Sequence, residues 1–221
     1  MPKSTMKFQA ISKKLVSHLP ERSRDVIVSR YGLAPNTKPH TLDAIGKRYG
    51  ITRERVRQIE NHVIKLIQES ETLASELEAL KPLEDAIHER GSIMSESTLL
   101  NEFAKDEETR NHLYFLLTVG KNFAYAKGND DFKARWHVDH EVTKSVEDAL
   151  KQVHAKIKNH EVFSENEMIN HVVTCLTTVS TKHKNKDNVR RWLELSNCLM
   201  RNPLGDWGKV TAPGIRVKNI R

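Results

Sequence analysis

The stretch LDAIGKRYGITRERVRQIEN, residues 42–61, decides how the N-terminal third of this chain folds. Its small and apolar residues, Ile45, Gly46, Tyr49, Gly50, Ile51, Val56 and Ile59, fall where two short helices must meet across a tight turn. Gly46 lets the helices approach closely, Gly50 supplies a left-handed turn residue, and Ile51 pins the turn onto the shared core. Thr52 brings a hydroxyl that caps the following helix. At 100° per residue, Val56, Ile59, Val63 and Ile67 fall on one face of that helix, and Glu54, Arg57, Gln58, Asn61 and Lys65 on the other. The spacing predicts a helix-turn-helix with a buried aliphatic stripe and a polar outer face.

That outer face carries the chemistry of B-DNA recognition. A helix entering the major groove shows its N-terminal residues to base edges while flanking cations meet phosphates. Arg53 begins the helix and suits bidentate contact with guanine. Gln58 can pair with adenine, and Glu54 can accept from a cytosine amino group. Lys47, Arg48, Arg55 and Arg57 flank them as phosphate contacts. The competing reading is a solvated arginine-rich face with intrahelical ion pairs. The complete core pattern beside it favours DNA.

Upstream, Leu15, Val16, Leu19, Val26, Ile27, Val28, Tyr31 and Leu33 describe two helices joined by a short turn, with Pro20 opening the second and Gly32 as its C-cap. Pro35, Asn36 and Pro39 mark a loop over residues 34–40. The segment LPERSRDVIVSRYGL, followed by HTLDAIGKRYGITRERVRQIENHVIKLI, closely resembles region four of primary bacterial RNA polymerase sigma factors. The resemblance covers roughly residues 15–67. It implies recognition of a promoter −35 type element and docking on the polymerase β-subunit flap. Arg53, Glu54, Arg57 and Gln58 match its base-contact positions, with Lys47, Arg48, Thr52, Arg55, Asn61 and Lys65 as backbone contacts. Nothing in the chain resembles the aromatic and basic helices that melt a −10 element.

Residues 68–82 form an acidic connector in which Leu73, Leu77 and Leu80 give a helix expected to end before Pro82. It offers fewer than three heptads, so a monomer is favoured over a coiled-coil dimer. Beyond it an internal repeat emerges. Ser95-Glu96-x-x-Leu99-Leu100-Asn101-x-Phe103 matches Ser164-Glu165-x-x-Met168-Ile169-Asn170-x-Val172. Each copy is preceded by an apolar helix (83–90; 142–159) and followed by another (107–119; 187–200). Ser164 and Glu167 form a capping box.

The first copy closes on FAYAKGNDDFKARWHV, two β-rich runs around a turn at residues 127–131. The second closes on NPLGDWGKVTAPGIRVKNIR, whose Gly205, Gly208, Pro213 and Gly214 suit a short strand and an irregular wing. This tail resembles the N-P-F-G-E-W-G type segment of bacterial proteins that combine a sigma-like region four with small winged-helix modules, including those named HARE-HTH. In such proteins the chain commonly continues into a further helical module.

The expected fold is therefore mainly α: a helix-turn-helix domain over residues 1–67, the connector, and winged-helix-like modules over 83–141 and 142–221. Charge follows these blocks. Residues 1–67 have 14 basic and 5 acidic side chains, residues 68–143 have 8 and 16, and residues 144–221 have 14 and 8. The whole chain carries +7. The negative middle block favours protein contact, although Lys121, Lys127, Lys133 and Arg135 could make its wing locally positive. In the last block Lys182, Lys184, Lys186, Arg190 and Arg191 are grouped as a second DNA contact, or as a solubilising run on a loop. Trp192 and Trp207 read as core or wing anchors.

No stretch reaches the roughly 18 apolar residues of a membrane span, and no secretory signal opens the chain, so a cytoplasmic location is expected. The two cysteines, Cys175 and Cys198, form no close pair for a metal. His171 and Cys175 share a helix face without an activating carboxylate, and no phosphate loop or hydrolase motif occurs. Neither cofactor nor enzymatic activity is expected. The expected function is that of a sequence-specific, sigma-like DNA-binding factor working with RNA polymerase. The alternatives are a polymerase-docking adaptor with incidental DNA contact and the DNA-targeting subunit of a defence system.

Overall fold

The computed structural model describes residues 7–176 and 179–215. The last six residues of the predicted C-terminal wing, 216–221, lie outside the described residues. Its helices are α1 (Phe8–Ser17), α2 (Glu21–Tyr31), α3 (Leu42–Tyr49), α4 (Arg53–Glu69), α5 (Glu71–Glu89), α6 (Glu96–Phe103), α7 (Glu107–Val119), α8 (His140–Lys156), α9 (Glu165–Cys175) and α10 (Lys186–Leu193). The strands are β1 (Ile93–Ser95), β2 (Ala124–Ala126), β3 (Arg135–His137), β4 (Val162–Phe163), β5 (Leu199–Arg201) and β6 (Trp207–Lys209). The fold is mainly helical, a helix-turn-helix domain followed by winged-helix-like modules. The chain divides into two compact units, Met1–Pro82 with Leu99–Ala124, and Leu83–Thr98 with Tyr125–Arg221.

In the first unit the helix boundaries expected at Pro20 and Gly32 hold. Pro20 sits at the N-cap of α2, and Gly32 ends that helix with φ 64°. Val26, Ile45 and Val56, one residue from each of α2, α3 and α4, form a small buried cluster, with Leu42, Tyr49, Ile51 and Ile59 packed around it. Val63 and Ile67 continue the buried stripe of α4. This unit also recruits α7, which packs on α1, α2 and α4. Asn111 of α7 donates its side-chain amide to the carbonyls of Gly32 and Thr37, at 3.2 and 3.3 Å. The Tyr31 ring meets the rings of Phe115 and Tyr114.

The connector departs from expectation. The helix does not stop before Pro82 but runs through it to Glu89. Pro82, which has no N–H to donate to the Glu78 carbonyl, and Glu78 both lie on exposed positions, while Leu80, Leu83 and Ile87 are buried. Burial of that stripe offsets the lost hydrogen bond.

The second unit carries two three-stranded sheets of the same order, first-third-second: β1-β3-β2 and β4-β6-β5. Their common layout gives structural form to the sequence repeat. Ser95 and Ser164 both cap the helix that follows, by accepting from the N–H of Thr98 and Glu167, and Ser164 with Glu167 forms the full capping box. Trp192 and Trp207 are buried in one large core with Val146, Leu150, Val153, Met168, Val172 and Leu199. The helix predicted over 187–200 stops at Leu193 instead. There the Ser196 hydroxyl accepts from the N–H groups of Cys198 and Leu199 and turns the chain into β5. β2 and β3 form the expected pair, but the loop joining them spans residues 127–134. It is held by the Asn129 side chain, which accepts from Asp131 and Phe132, and by a bridge from Phe132 to Ser196.

Candidate nucleic-acid interface

The turn between α3 and α4 is built as its composition requires. Gly50 takes φ 63°, and its N–H, with that of Ile51, donates to the Gly46 carbonyl. The Thr52 hydroxyl accepts from the Arg55 N–H at 3.1 Å and caps α4, as the Thr41 hydroxyl caps α3 through Ala44. Satisfied ends fix where α4 begins and where its tip points.

From that tip Arg53, Glu54, Arg55, Arg57, Gln58, Asn61 and Lys65 are all exposed, while Val56, Val63 and Ile67 on the other side are buried. Lys47, Arg48 and Thr52 are exposed beside them. The arrangement is a cationic ridge on a rigid, capped helix. Two pairs run along it. Arg57 grips Glu54 in a bidentate ion pair of 2.9 and 2.7 Å, and Arg55 donates to Gln58 at 3.1 Å. The Arg57 guanidinium holds the Glu54 carboxyl below its usual range, and Glu54 raises Arg57 in turn. The intrahelical pairing weighed for an arginine-rich face is thus present, yet such exposed pairs are weak, screened by salt and readily exchanged for a ligand. The Arg53 side chain is 70% exposed, with the Asp43 carboxylate 4.0 Å away.

Asp43 was not apparent from sequence as part of this region. With Gly46, Lys47, Gly50, Ile51, Thr52, Arg53 and Arg55 it lines an open concavity of about 570 Å³ at the head of α4. Its signal was the acidic first turn of α3, ten residues before Arg53, which only the turn geometry brings near.

The second group of cations is differently placed. Glu165 at the start of α9 collects Lys186 at 3.2 Å, Arg190 at 2.6 Å and Arg201 at 3.3 Å. Arg190 foremost, and Lys186 with it, pull the Glu165 carboxyl down to about 2. Lys184 donates to the Leu176 carbonyl, and Arg191 lies near the Asn188 side-chain oxygen. Lys182 is exposed on a short 3-10 turn, Thr181–His183. Of the wing cations in the acidic block, Lys121, Lys127 and Lys133 are exposed. Arg135 is not: it is buried in a salt bridge to Glu147 at 2.6 Å. Arg135 is therefore withdrawn from the set of cations expected to make this wing locally positive, because its guanidinium serves the core, while the three lysines of that set remain at the surface. His171 stacks edge-on against Phe163, and Cys175 lies 3.6 Å from the Lys156 ammonium. Among the described residues no helix is long and apolar enough to cross a membrane, and no cluster of three or more metal-ligating side chains occurs.

Comparison with known proteins converges on the same segment. Residues 15–69 match the family model described as Sigma-70, region 4, a match that ends on the last residue of α4. The RNA polymerase sigma factor RpoS of Coxiella burnetii is 50% identical over 48 residues, 22% of this chain and 13% of that protein. RpoD of Helicobacter pylori is 41% identical over 61 residues, 28% of this chain and 9% of that protein. The principal sigma factor HrdD of Streptomyces griseus is 42% identical over 50 residues, 23% and 15% of the respective chains. The matched part thus spans well under a fifth of each of these relatives. Residues 15–69 form a domain of the Sigma-70 region 4 type.

Proposed function

We propose that this chain binds double-stranded DNA by placing α4 in the major groove, reads a −35-type promoter element, and acts with RNA polymerase in initiation or its regulation. The observation that carries the reading is the exposed tip of α4 on a helix whose other face is locked into a core. Arg53 meets guanine, Gln58 adenine and Glu54 a cytosine amino group, with Arg57 released from Glu54 to join them. Lys47, Arg48, Thr52, Arg55, Asn61 and Lys65 hold phosphates on either side. The role is one of binding, exercised in the cytoplasm and without a cofactor, and the polymerase core is the protein partner through its β-flap.

The three-module division at residues 67, 82 and 141, and the kinship of the winged-helix-like modules with HARE-HTH domains, belong to the same proposal. So does a weak second DNA contact through Lys182, Lys184, Lys186, Arg190 and Arg191. Of these, Lys186 and Arg190 must share their charge with Glu165, so Lys182 and Arg191 lead. The test is a titration of the full chain against a duplex bearing a −35-type element and a scrambled duplex at physiological salt. Specific DNA factors favour their site by about 10³-fold or more. A preference for the element supports the reading. Equal affinity for both duplexes refutes base recognition.

A further inference from the structure

The two copies of the internal repeat put the same carboxylate in opposite company. Glu96 and Glu165 each follow the capping serine and open the helix after the first strand of their sheet. The central strand of each sheet sets a tryptophan across from that first strand, Trp136 opposite Met94 and Trp207 opposite Phe163. In the second copy the carboxylate is served from within. Arg190 meets Glu165 through two nitrogens, at 3.1 and 2.6 Å, and Lys186 and Arg201 join it. Arg201 stands opposite Trp207 on β5.

In the first copy β2 takes the place of β5. It carries Tyr125, 44% exposed, whose ring centroid lies 4.9 Å from that of Trp136. Glu96 is half-buried, and one of its carboxylate oxygens is buried without a hydrogen bond. Burial pushes this carboxyl above its ordinary range; the Trp136 indole draws it back, and no cation of the described residues does. Tyr125 senses the same charge, since burial and then Glu96 push its hydroxyl up. A carboxylate and two aromatic rings thus share one corner of the first sheet, without the counter-charge that their twin possesses.

We propose that Glu96, Tyr125 and Trp136 receive an arginine side chain from a basic segment of a partner protein, which does at Glu96 what Arg190 and Arg201 do at Glu165. A carboxylate partly withdrawn from water is costly until a counter-charge meets it. A guanidinium grips a carboxylate through two N–H groups and lies flat on an aromatic ring, whereas an ammonium is a point charge. The surrounding sequence selects the same partner. Residues 68–143 hold 16 acidic and 8 basic side chains, a field that draws in a basic protein segment and repels a phosphate backbone. The site lies outside the DNA-reading ridge and does not depend on it.

The test titrates the full chain with a peptide alternating arginine and glycine, and with the same peptide carrying citrulline in place of arginine, while the tryptophan indole N–H signals are followed by NMR. The arginine peptide should shift the Trp136 signal saturably and leave those of Trp192 and Trp207 in place, and the citrulline peptide should shift none. Glu96→Gln should weaken the arginine peptide about tenfold and Tyr125→Ala about threefold. Glu141→Gln removes an exposed carboxylate of the same unit and should change nothing. Tyr125→Arg supplies from β2 the cation that β5 supplies in the second copy, and should abolish binding. Trp192 and Trp207 signals that stay as in the parent show that each variant is folded. A citrulline peptide that binds as well as the arginine peptide would overturn the proposal. So would equal losses in Glu96→Gln and Glu141→Gln, or full binding by Tyr125→Arg.

Discussion

A Cβ placed on Gly46 would lie 2.7 Å from the carbonyl oxygen of Ile51. The same two residues are joined by a 3.0 Å hydrogen bond from the Ile51 N–H to the Gly46 carbonyl. The contact is with backbone, which cannot swing aside as a side chain would. Gly46→Ala must therefore push the turn away from α3. We expect a loss of about 1 to 3 kcal/mol of stability, with duplex affinity falling because the head of α4 shifts. Chemical unfolding checks this, and an unchanged midpoint would show that the turn is softer than its geometry implies.

Lys47 stands outside the base-reading set. Lys47→Ala should weaken binding to specific and random duplexes alike, and reduce the slope of log affinity against log salt by about one. Titrations at several salt concentrations measure both quantities. A loss confined to the specific duplex would move Lys47 into base recognition.

Arg135 and Glu147 form a largely buried pair, with side-chain exposures of 6% and 23%. Arg135→Ala leaves the carboxylate with no counter-charge and should cost about 3 kcal/mol. The double variant Arg135→Met, Glu147→Leu should recover most of that loss. Thermal unfolding of the three proteins makes the comparison, and a double variant as unstable as the single one would mean that the pair contributes more than mutual neutralisation.

Glu165 ties acid stability to the second module. Its carboxyl sits at about 2 in the folded protein, against an ordinary 4.5. The unfolded chain binds the proton first, so the contribution of this group is complete above about pH 4.5 and drains away as pH falls from there toward 2. Glu165→Gln should remove that part of the acid dependence and lower stability at neutral pH, where Lys186, Arg190 and Arg201 would lose their shared carboxylate. Unfolding midpoints from neutral pH down to about pH 3 test it. An acid limb unaltered by the substitution would exclude Glu165 as its source.

What could be read from sequence was local. Gly46, Gly50, Ile51 and Thr52 each have one conformational use at their spacing, and the structure puts all four to it. The capping box at Ser164 and the limits of α7 are local in the same sense. What escaped depends on distant parts of the chain. Pro82 marks a helix end wherever tertiary burial does not outweigh it, and Leu80, Leu83 and Ile87 do so here. The end of α10 at Leu193 is fixed by Lys133, which donates to the Leu195 carbonyl, and by Asp131, which accepts from the Asn197 N–H. Both partners lie 60 or more residues before it. Arg135 looked like a wing cation because its counter-charge, Glu147, sits on the next helix. The destination of α7 had no local sign, since its apolar pattern suits either module.

The most direct test of the central claim is selection of bound sequences from a random duplex pool, with the parent protein and with Arg53→Ala. The account predicts that the parent enriches a short element and that the variant loses its preference at one base pair, with a penalty of about 1 to 3 kcal/mol there. A pool that stays random with the parent protein, or an element that Arg53→Ala recovers unchanged, would contradict it.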